Sequence, residues 1–509
     1  MSGSNSELVD VAVVGAGPVG LALTGLLARQ GLSVVLLDRG KHGVNKPRAT
    51  HLDDETVRIM QAVGVADELE PDFYKPGSFH LYDTDWNMLA YTTLHGDVSD
   101  QGWSYDYMFH QPTFETRMRE ILEATAGVTA RFGVDVTAVT QSSGSATVVA
   151  TDLDAGQGFE VEARYVVGCD GASSVVRESM GAELEDLHGS QRWVVIDIIL
   201  KDGAEVTDEL HTYATTGPER TYTFVPTGDN RRRIEFKALE HETDESLEQE
   251  DNVWKLLEKW VTPETATIER ADTYQFNALL AKPWREGRLF IAGDAAHQMA
   301  PKAGQGMCSG LRDAANLSWK LAFCVNGRAS SSLLDTYESE RSPHSRIWIQ
   351  ISEAIAKAID HLSSGGKPEI QGEQKPAGRP PIGPGLHGEA PPPAGLLSIQ
   401  PILEDGTKLD DRVGAAFAVI ATQDLLDAAD GSTRTIWDEL GAVVLSSTEA
   451  GYDGFLKGFG ASGVVIRPDK YIFGTTDSAA GLDALTENLR KALGTGTAQA
   501  VGAPAGDSQ

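Results

Sequence analysis

The 509-residue chain is poor in cysteine: Cys169, Cys308 and Cys324 are the only three, and no C-x-x-C pair occurs. That excludes a disulfide framework and a zinc-type ligand spacing, and it predicts a reducing, cytoplasmic setting. Positive charge is also scarce. Lys and Arg number 43 against 74 Asp and Glu, a formal net charge of -31, which repels nucleic acid and anionic membrane surfaces and excludes both as partners. No window approaches roughly eighteen uninterrupted apolar residues, so no spanning helix is expected. Met1 to Asp10 is polar and runs into a strand-like segment without a basic or apolar leader pattern. H-E-x-x-H and G-x-S-x-G are absent, and with the missing zinc spacing they leave no metal site and no serine-hydrolase chemistry to expect.

What is present is concentrated in three fragments: Gly15-Ala16-Gly17-Pro18-Val19-Gly20, Cys169-Asp170-Gly171-Ala172-Ser173-Ser174-Val175-Val176-Arg177 and Gly293-Asp294-Ala295-Ala296-His297. The first joins a short apolar strand, Leu8 to Val14, to a helix predicted over Pro18 to Gln30. A second strand, Ser33 to Leu37, ends at Asp38. This is a complete βαβ unit. Its glycine turn places a pyrophosphate on a helix N-terminus, and Asp38 lies close to the roughly 20-residue spacing of a ribose-binding acid. The other fragments each end an apolar run with an acidic and a small residue, and this order points to FAD.

Helical patterns follow at Asp53 to Ala62 and Thr113 to Ala124, with an aromatic-rich stretch, Phe79 to Phe109, between them. Trp193 to Lys237 alternates like a half-buried sheet. Arg288 to Ala292 reads as a buried strand, and Gly306 to Val325 as a helix that continues at Leu333 to Leu362. Gly365 to Gly395 is too rich in Pro and Gly for a helix or a central strand. Beyond it, Ala415 to Ala421, Ala442 to Leu445 and Gly463 to Ile466 read as strands and Leu482 to Leu493 as a closing helix.

With these fragments in this order, the chain resembles the single-component flavin aromatic hydroxylases, the para-hydroxybenzoate hydroxylase family, over about residues 8 to 365. Gly304 to Lys320 looks like the flavin-binding helix of the 3-(3-hydroxyphenyl)propionate and phenol hydroxylase branch. Leu409 to Gly414 and Ile466 to Tyr471 look like its C-terminal appendage. The resemblance implies an α/β fold: a Rossmann-like FAD-binding domain (1–79, 110–185 and 275–364), an inserted antiparallel β-sheet substrate domain (80–109 and 186–274), a linker (365–394), a thioredoxin-like domain lacking C-x-x-C (395–495) and a disordered tail (496–509). It assigns FAD to Gly15, Gly17, Gly20, Asp38, Arg39, Arg48, Gln111, Asp170, Asp294, Gly306 and Met307, with Arg117 supporting Gln111. For Asp170, a helix cap is the competing reading. Cys308 is read as a packing residue.

The activity implied is hydroxylation of a phenolic or heteroaromatic ring by NADH or NADPH and O2 through a flavin C4a-hydroperoxide, in a homodimer. The pocket candidates are His51, Pro301, His211, Tyr222 and Arg220, with one aromatic set of the inserted sheet facing inward. An aromatic set that forms core instead fits the same alternation, and His211 reads equally as a surface histidine. The chain departs from the branch at Ala214 to Arg220 and at Ala300-Pro301-Lys302. Lys302 either binds an acidic substrate or points to solvent, and a larger polyketide-type substrate is the alternative that these departures open. A flavin halogenase lacks its tryptophan-rich stretch here, and a disulfide reductase lacks its cysteine pair. A catalytically silent flavoprotein scaffold is the reading from another class.

Overall fold

A computed structural model describes residues 8–93, 98–204, 211–216, 220–366, 371–374 and 378–494. The expected tail, 496–509, lies outside the described residues, as do Gly217, Pro218 and Glu219. The chain divides into two compact units, Met1–Ser318 with Arg341–Pro380, and Trp319–Glu340 with Pro381–Gln509. The segment Trp319–Glu340, which the sequence reading places in the FAD-binding domain, groups with the second unit, and the Pro/Gly-rich segment is shared between the two.

The first unit holds two large sheets. In the eight-stranded one, Leu289–Ile291, Gln157–Gly168, Val9–Val14, Val34–Asp38 and Val128–Phe132 pair side by side in parallel. Burial on both faces explains the continuous apolar runs Val11 to Val14 and Val34 to Leu37. All three sequence fragments leave C-terminal ends of adjacent parallel strands. That is where an open α/β sheet binds its ligand.

Helix ends follow local chemistry. Pro18–Arg29 starts with proline at its first turn. The helix expected from Asp53 begins at Asp54, because Asp53 is its N-cap and accepts from the Thr56 amide at 3.0 Å; it closes on left-handed Gly64, φ 87°. Gln111–Glu123 starts two residues earlier than expected, with Pro112 in its first turn. A 3-10 turn, Ser331–Asp335, precedes the long helix Thr336–Ser363.

The second sheet has nine strands in the order His297–Gln298, Ala266–Lys282, Glu183–Leu200, Arg231–Lys237, Tyr222–Pro226, Thr212–Thr215, Ser78–Tyr82, Met88–Thr93, Gly372–Glu373. It is antiparallel apart from two parallel joints, Thr212–Thr215 on Ser78–Tyr82 and Gly372–Glu373 on Met88–Thr93. The Pro/Gly-rich segment thus contributes only an edge strand, as its composition allows.

The inward aromatic face expected for this sheet is not observed. Val194, Ile196, Tyr213, Tyr222, Phe224, Ile234 and Phe236 form a core with Leu247, Val253 and Leu257 of the helices Asp244–Glu248 and Glu250–Leu257. Alternation then sends Val195, Asp197, Thr212, Ala214, Thr223, Val225, Arg233 and Glu235 to the opposite face. The amphipathic helices that follow the sheet in sequence take the aromatic face.

The second unit is built on a four-stranded mixed sheet, Val443–Ser446, Ala418–Ala421, Gly463–Ile466, Ile472–Thr476. One cluster packs Trp319, Phe323 and Phe417 edge to face with Trp437 and Leu489; another gathers Ile420, Tyr452, Val464 and Ile472. Fully buried Arg467 bonds both Glu340, at 2.9 and 2.7 Å, and Asp469, at 3.0 and 2.6 Å. Burial pushes the neighbouring Lys320 down to about 8, even though Glu340 pairs with it at 2.7 Å.

Candidate active site

One continuous cavity of about 1430 Å³ runs through the first unit. This exceeds the ~1,000 Å³ upper end of ordinary single-ligand pockets, so it has room for more than one molecule. The glycine turn lines part of it. A Cβ on Gly15 (φ +101°) would lie 2.3 Å from the Cys169 carbonyl oxygen, and one on Gly20 would lie 1.9 Å from the Gly15 oxygen. These glycines let the turn and its helix press against the neighbouring strands. A Cβ on Gly17 would meet nothing within 4 Å, which leaves backbone open to a ligand at a helix N-terminus.

Asp38 lines the cavity, but its carboxylate also closes the loop around it. One oxygen accepts from the Ala16 amide at 2.6 Å; the other accepts from Gly40 at 2.8 Å and from Arg119 at 3.1 Å. Arg119 also donates to the carbonyls of Ala16 and Gly40, both at 3.1 Å. Arg117, expected to support the site, instead pairs with Asp72 and Glu68 away from the cavity. Helix periodicity held the correct signal: Gln111, Glu115 and Arg119 recur every four residues and share a face. Arg39 lines the cavity mouth and approaches Asp135 at 3.6 Å.

Gln111 serves the loop that carries Arg48. Its Oε1 accepts from the amides of Arg48 (3.1 Å) and Ala49 (2.7 Å), and its Nε2 donates to Glu115 at 2.7 Å. From the other side Arg233 donates to the carbonyls of Arg48 (2.6 Å) and Pro47 (2.8 Å) while paired with Asp197. Arg270 also bonds Pro47. Backbone held from both sides leaves the Arg48 guanidinium at the cavity wall.

The second fragment carries Asp170. Its Oδ2 caps the helix Val175–Met180 at the amides of Val175 (2.8 Å) and Val176 (3.2 Å), while its buried Oδ1 has no hydrogen-bond partner among the described residues. Burial raises its pKa. Arg177 ties this fragment to the third through the carbonyls of Ala172 (2.6 Å) and Ala295 (3.1 Å). There Asp313 accepts from the Gly293 amide at 3.1 Å and bonds His297 at 2.7 Å and Arg341 at 2.9 Å, which fixes the turn that presents Asp294 to the cavity. Burial also pushes Asp294 above the usual carboxylate range, against the pull of His297 and Arg48.

The loop after it, Met299 to Gln305, leads into the helix Gly306–Val325, whose first residues Gly306 and Met307 line the cavity. Arg312 holds this entry, bonding Glu55 at 2.5 Å, Gln305 at 2.7 Å, and Asp53. His51 sits beside it, with Nε2 2.5 Å from Asp106 and Nδ1 3.1 Å from the Gly304 carbonyl. Burial works to lower the His51 pKa, but the bond to Asp106 and the nearby Cys308 leave it raised well above 6.5. Cys308 is fully buried, its Sγ donating to the carbonyls of His51 at 3.7 Å and Gly304 at 3.6 Å.

The substrate sheet and the long helix line another part through Val195, Thr212, Ala214, Thr223, Val225, Glu235, Ile351 and Ile355, with Pro301 beside them. Lys302 turns inward and lies over the Trp193 ring. Three candidates lie elsewhere. Arg220 makes a two-pronged pair with Glu242 (3.1 and 2.6 Å), Tyr222 is in the sheet–helix core with Lys259 on its hydroxyl, and the His211 ring lies tilted against His80, centroids 3.9 Å apart. None of the three lines the cavity; strand parity turns Tyr222 to the other face, and Arg220 and His211 lie just outside the strands. Sequence reasoning missed Asp53, Glu55, Asp106, Arg119, Arg233 and Arg312, all paired across distant segments.

These residues fit a FAD: an open glycine cradle, the unpartnered Asp170 oxygen, the Arg48 cation, and helix amides at Gly306 and Met307. A family model described as an FAD binding domain matches residues 8–352. The chain is 34% identical over 521 residues to the "Probable NADH-specific resorcinol 4-hydroxylase" of Rhodococcus jostii (strain RHA1), covering 96% of each. It is 35% identical to the 3-(3-hydroxy-phenyl)propionate/3-hydroxycinnamic acid hydroxylase of Mycolicibacterium gilvum (strain PYR-GCK), covering 85% of this chain and 79% of the relative. In fold it matches the flavin-dependent monooxygenase PieE, solved with FAD and substrate, at TM-score 0.79 and 20% identity over 96% of this chain and all of that one. A cradle on parallel strand ends, matched in sequence from the glycine turn through the long helix, means that the chain belongs to the family of FAD-dependent aromatic hydroxylases.

Proposed function

We propose that this enzyme hydroxylates a phenolic ring with NADH as the first choice of reductant, NADPH as the second, and O2 as oxidant. The observation that carries it is the single cavity in which the dinucleotide cradle opens into a chamber walled by Val195, Val225, Ile351 and Ile355. FAD, when bound, supplies the redox chemistry: hydride acceptance from the nicotinamide and activation of O2 for transfer of one atom to the ring. The protein's own residues supply the rest. Gly15, Gly17 and Gly20 receive the pyrophosphate, and Asp38 and Arg119 shape the ribose end. The amides of Gly306 and Met307 and the proton held on His51 favour negative charge at the helix entry. Arg48, its backbone held by Gln111 and Arg233, would offer a cation to the bound cofactor. The apolar chamber wall excludes water from the reacting ring.

Support for NADH comes from the similarity to the NADH-specific relative over nearly the whole chain. The test is a panel of phenols added to FAD-loaded protein with NADH or NADPH, with O2 uptake and product mass recorded. The expected result is faster NADH oxidation with at least one phenol and a product one oxygen atom heavier. Absence of stimulation across the panel, or oxidation that yields only peroxide, refutes the assignment.

A further inference from the structure

The chamber contains a charge that the mechanism above leaves unused. Lys302 lies on the one-turn helix Pro301–Ala303, between the Asp294 turn and the helix entry at Gly306, and it lines the cavity. Its Nζ lies 3.0 Å from the centroid of the Trp193 ring, is shielded from solvent, and has no hydrogen-bond partner among the described residues. The Trp193 ring is itself held still, buried with its Nε1 donating to Gln191 at 3.0 Å.

An ammonium carries three donors, and burying it without an acceptor is costly. The aromatic face compensates only part of that cost, and no anion does the rest. Glu235, on the same face of the sheet, approaches Arg233 at 3.9 Å, and Lys237 is paired with Asp360 from the helix packed alongside. Burial lowers Lys302 to about 8, with Glu235 and Asp360 raising it and Lys237 lowering it. At neutral pH the side chain is therefore mostly charged. Its flexible four-carbon stem starts from the cavity wall, so the ammonium can leave the ring for a ligand in the chamber.

We propose that Lys302 is the counter-cation for an ionised oxygen on the aromatic substrate, which makes ring compounds presenting such an oxygen the preferred ligands of the chamber. The inference rests on the proposed phenol hydroxylation and deepens it. Trp193 holds the ammonium while the chamber is open, and the substrate oxygen takes it over. The oxygen comes from a ring hydroxyl bound as phenolate or from a carboxylate on a ring substituent.

Calorimetric binding to FAD-loaded protein separates these sources without requiring turnover. The probes are resorcinol against its dimethyl ether, and 3-(3-methoxyphenyl)propionate against its methyl ester, so that each pair differs only in the ionisable oxygen; the proteins are wild type, Lys302→Met and Lys302→Arg. The expected result is that Lys302→Met weakens one ionisable probe by about tenfold or more, leaves its neutral counterpart within about twofold, and is largely rescued by Lys302→Arg. The affected pair identifies the oxygen. If Lys302→Met weakens ionisable and neutral probes alike, or neither, the inference is overturned while phenol binding stands. Weakened FAD binding with both aromatic pairs unchanged assigns the lysine to the flavin and also overturns it. If wild-type protein binds none of the four probes, the phenolic substrate class fails, and this inference with it.

Discussion

Two glycines of the same turn, Gly20 and Gly17, should separate folding from cofactor binding when each is changed to alanine. At Gly20 the new Cβ would lie 1.9 Å from the Gly15 carbonyl oxygen and 3.2 Å from the Cys169 Cβ, far inside the 3.4 Å at which ordinary contact begins. Both neighbours belong to strand ends of the parallel sheet, so the helix must back away from it. Overpacking of this kind costs about 1–3 kcal/mol. Gly20→Ala should therefore lower the melting temperature of the FAD-free protein and, because the turn has moved, weaken FAD binding as well. About 2 kcal/mol corresponds to roughly 30-fold in Kd. At Gly17 the backbone angle is an ordinary φ of -75° and the added methyl meets no protein atom within 4 Å. Gly17→Ala should leave the FAD-free melting temperature unchanged to within the effect of about 0.5 kcal/mol that such a cap position allows. Yet the methyl occupies space assigned to the pyrophosphate, so FAD affinity should fall about tenfold or more. Differential scanning fluorimetry of stripped protein and titration of FAD fluorescence read the two effects separately. Wild-type FAD affinity in Gly17→Ala, or equal destabilisation by both changes, refutes the placement of the pyrophosphate.

Arg312→Met removes the cation from between Asp53 and Glu55 and should destabilise by about 3–5 kcal/mol in denaturant melts, with Arg312→Lys recovering less than half because lysine cannot reach three partners in fixed directions; full recovery by lysine would refute this. Asp106→Asn tests the charge on His51. A histidine held above its ordinary value stabilises fully below about pH 6.5 and loses that contribution as pH rises through its folded value, so the gap in melting temperature between wild type and variant should be wider near about pH 6 than near about pH 9.5. A gap that does not change with pH refutes a charged His51. Ala214→Phe, on the chamber face, should raise KM for a phenolic substrate about tenfold, whereas Tyr222→Phe, on the opposite face, should leave kcat/KM within about twofold. The reverse order in steady-state kinetics would overturn the assignment of faces.

The parts of the site legible in the sequence are those that one turn of chain builds alone. The glycine turn, the strand before it and the acid after the second strand are local, and their chemistry shows in the order of residues. Asp170 fits two readings for a physical reason, since one carboxylate oxygen caps a helix and the other is buried without a hydrogen-bond partner among the described residues. Faces were harder. Alternation showed that Tyr222 and Phe224 share a side, but not which side the following helices would cover. Residues that work through distant partners were invisible: His51 needs Asp106 and Gly304, Arg312 needs Asp53 and Glu55, and Lys302 draws its meaning from Trp193. Arg119 was legible in principle, because its four-residue spacing from Glu115 and Gln111 puts it on their face of the helix, whereas Arg117 lies off it.

The grip on the Pro47-Arg48-Ala49 backbone constrains how such an enzyme can change its substrate. Its carbonyls are held by Arg233 and Arg270 of the substrate sheet, its amides by Gln111 of the other layer. The sheet is therefore not an exchangeable cassette. A chimaera that imports a relative's chamber must import partners for these carbonyls as well, or Arg48 at the cavity wall loses its footing. Residues such as Ala214, Thr223 and Val225, which touch the chamber but not this loop, are free to vary, and diversification of substrate should concentrate there.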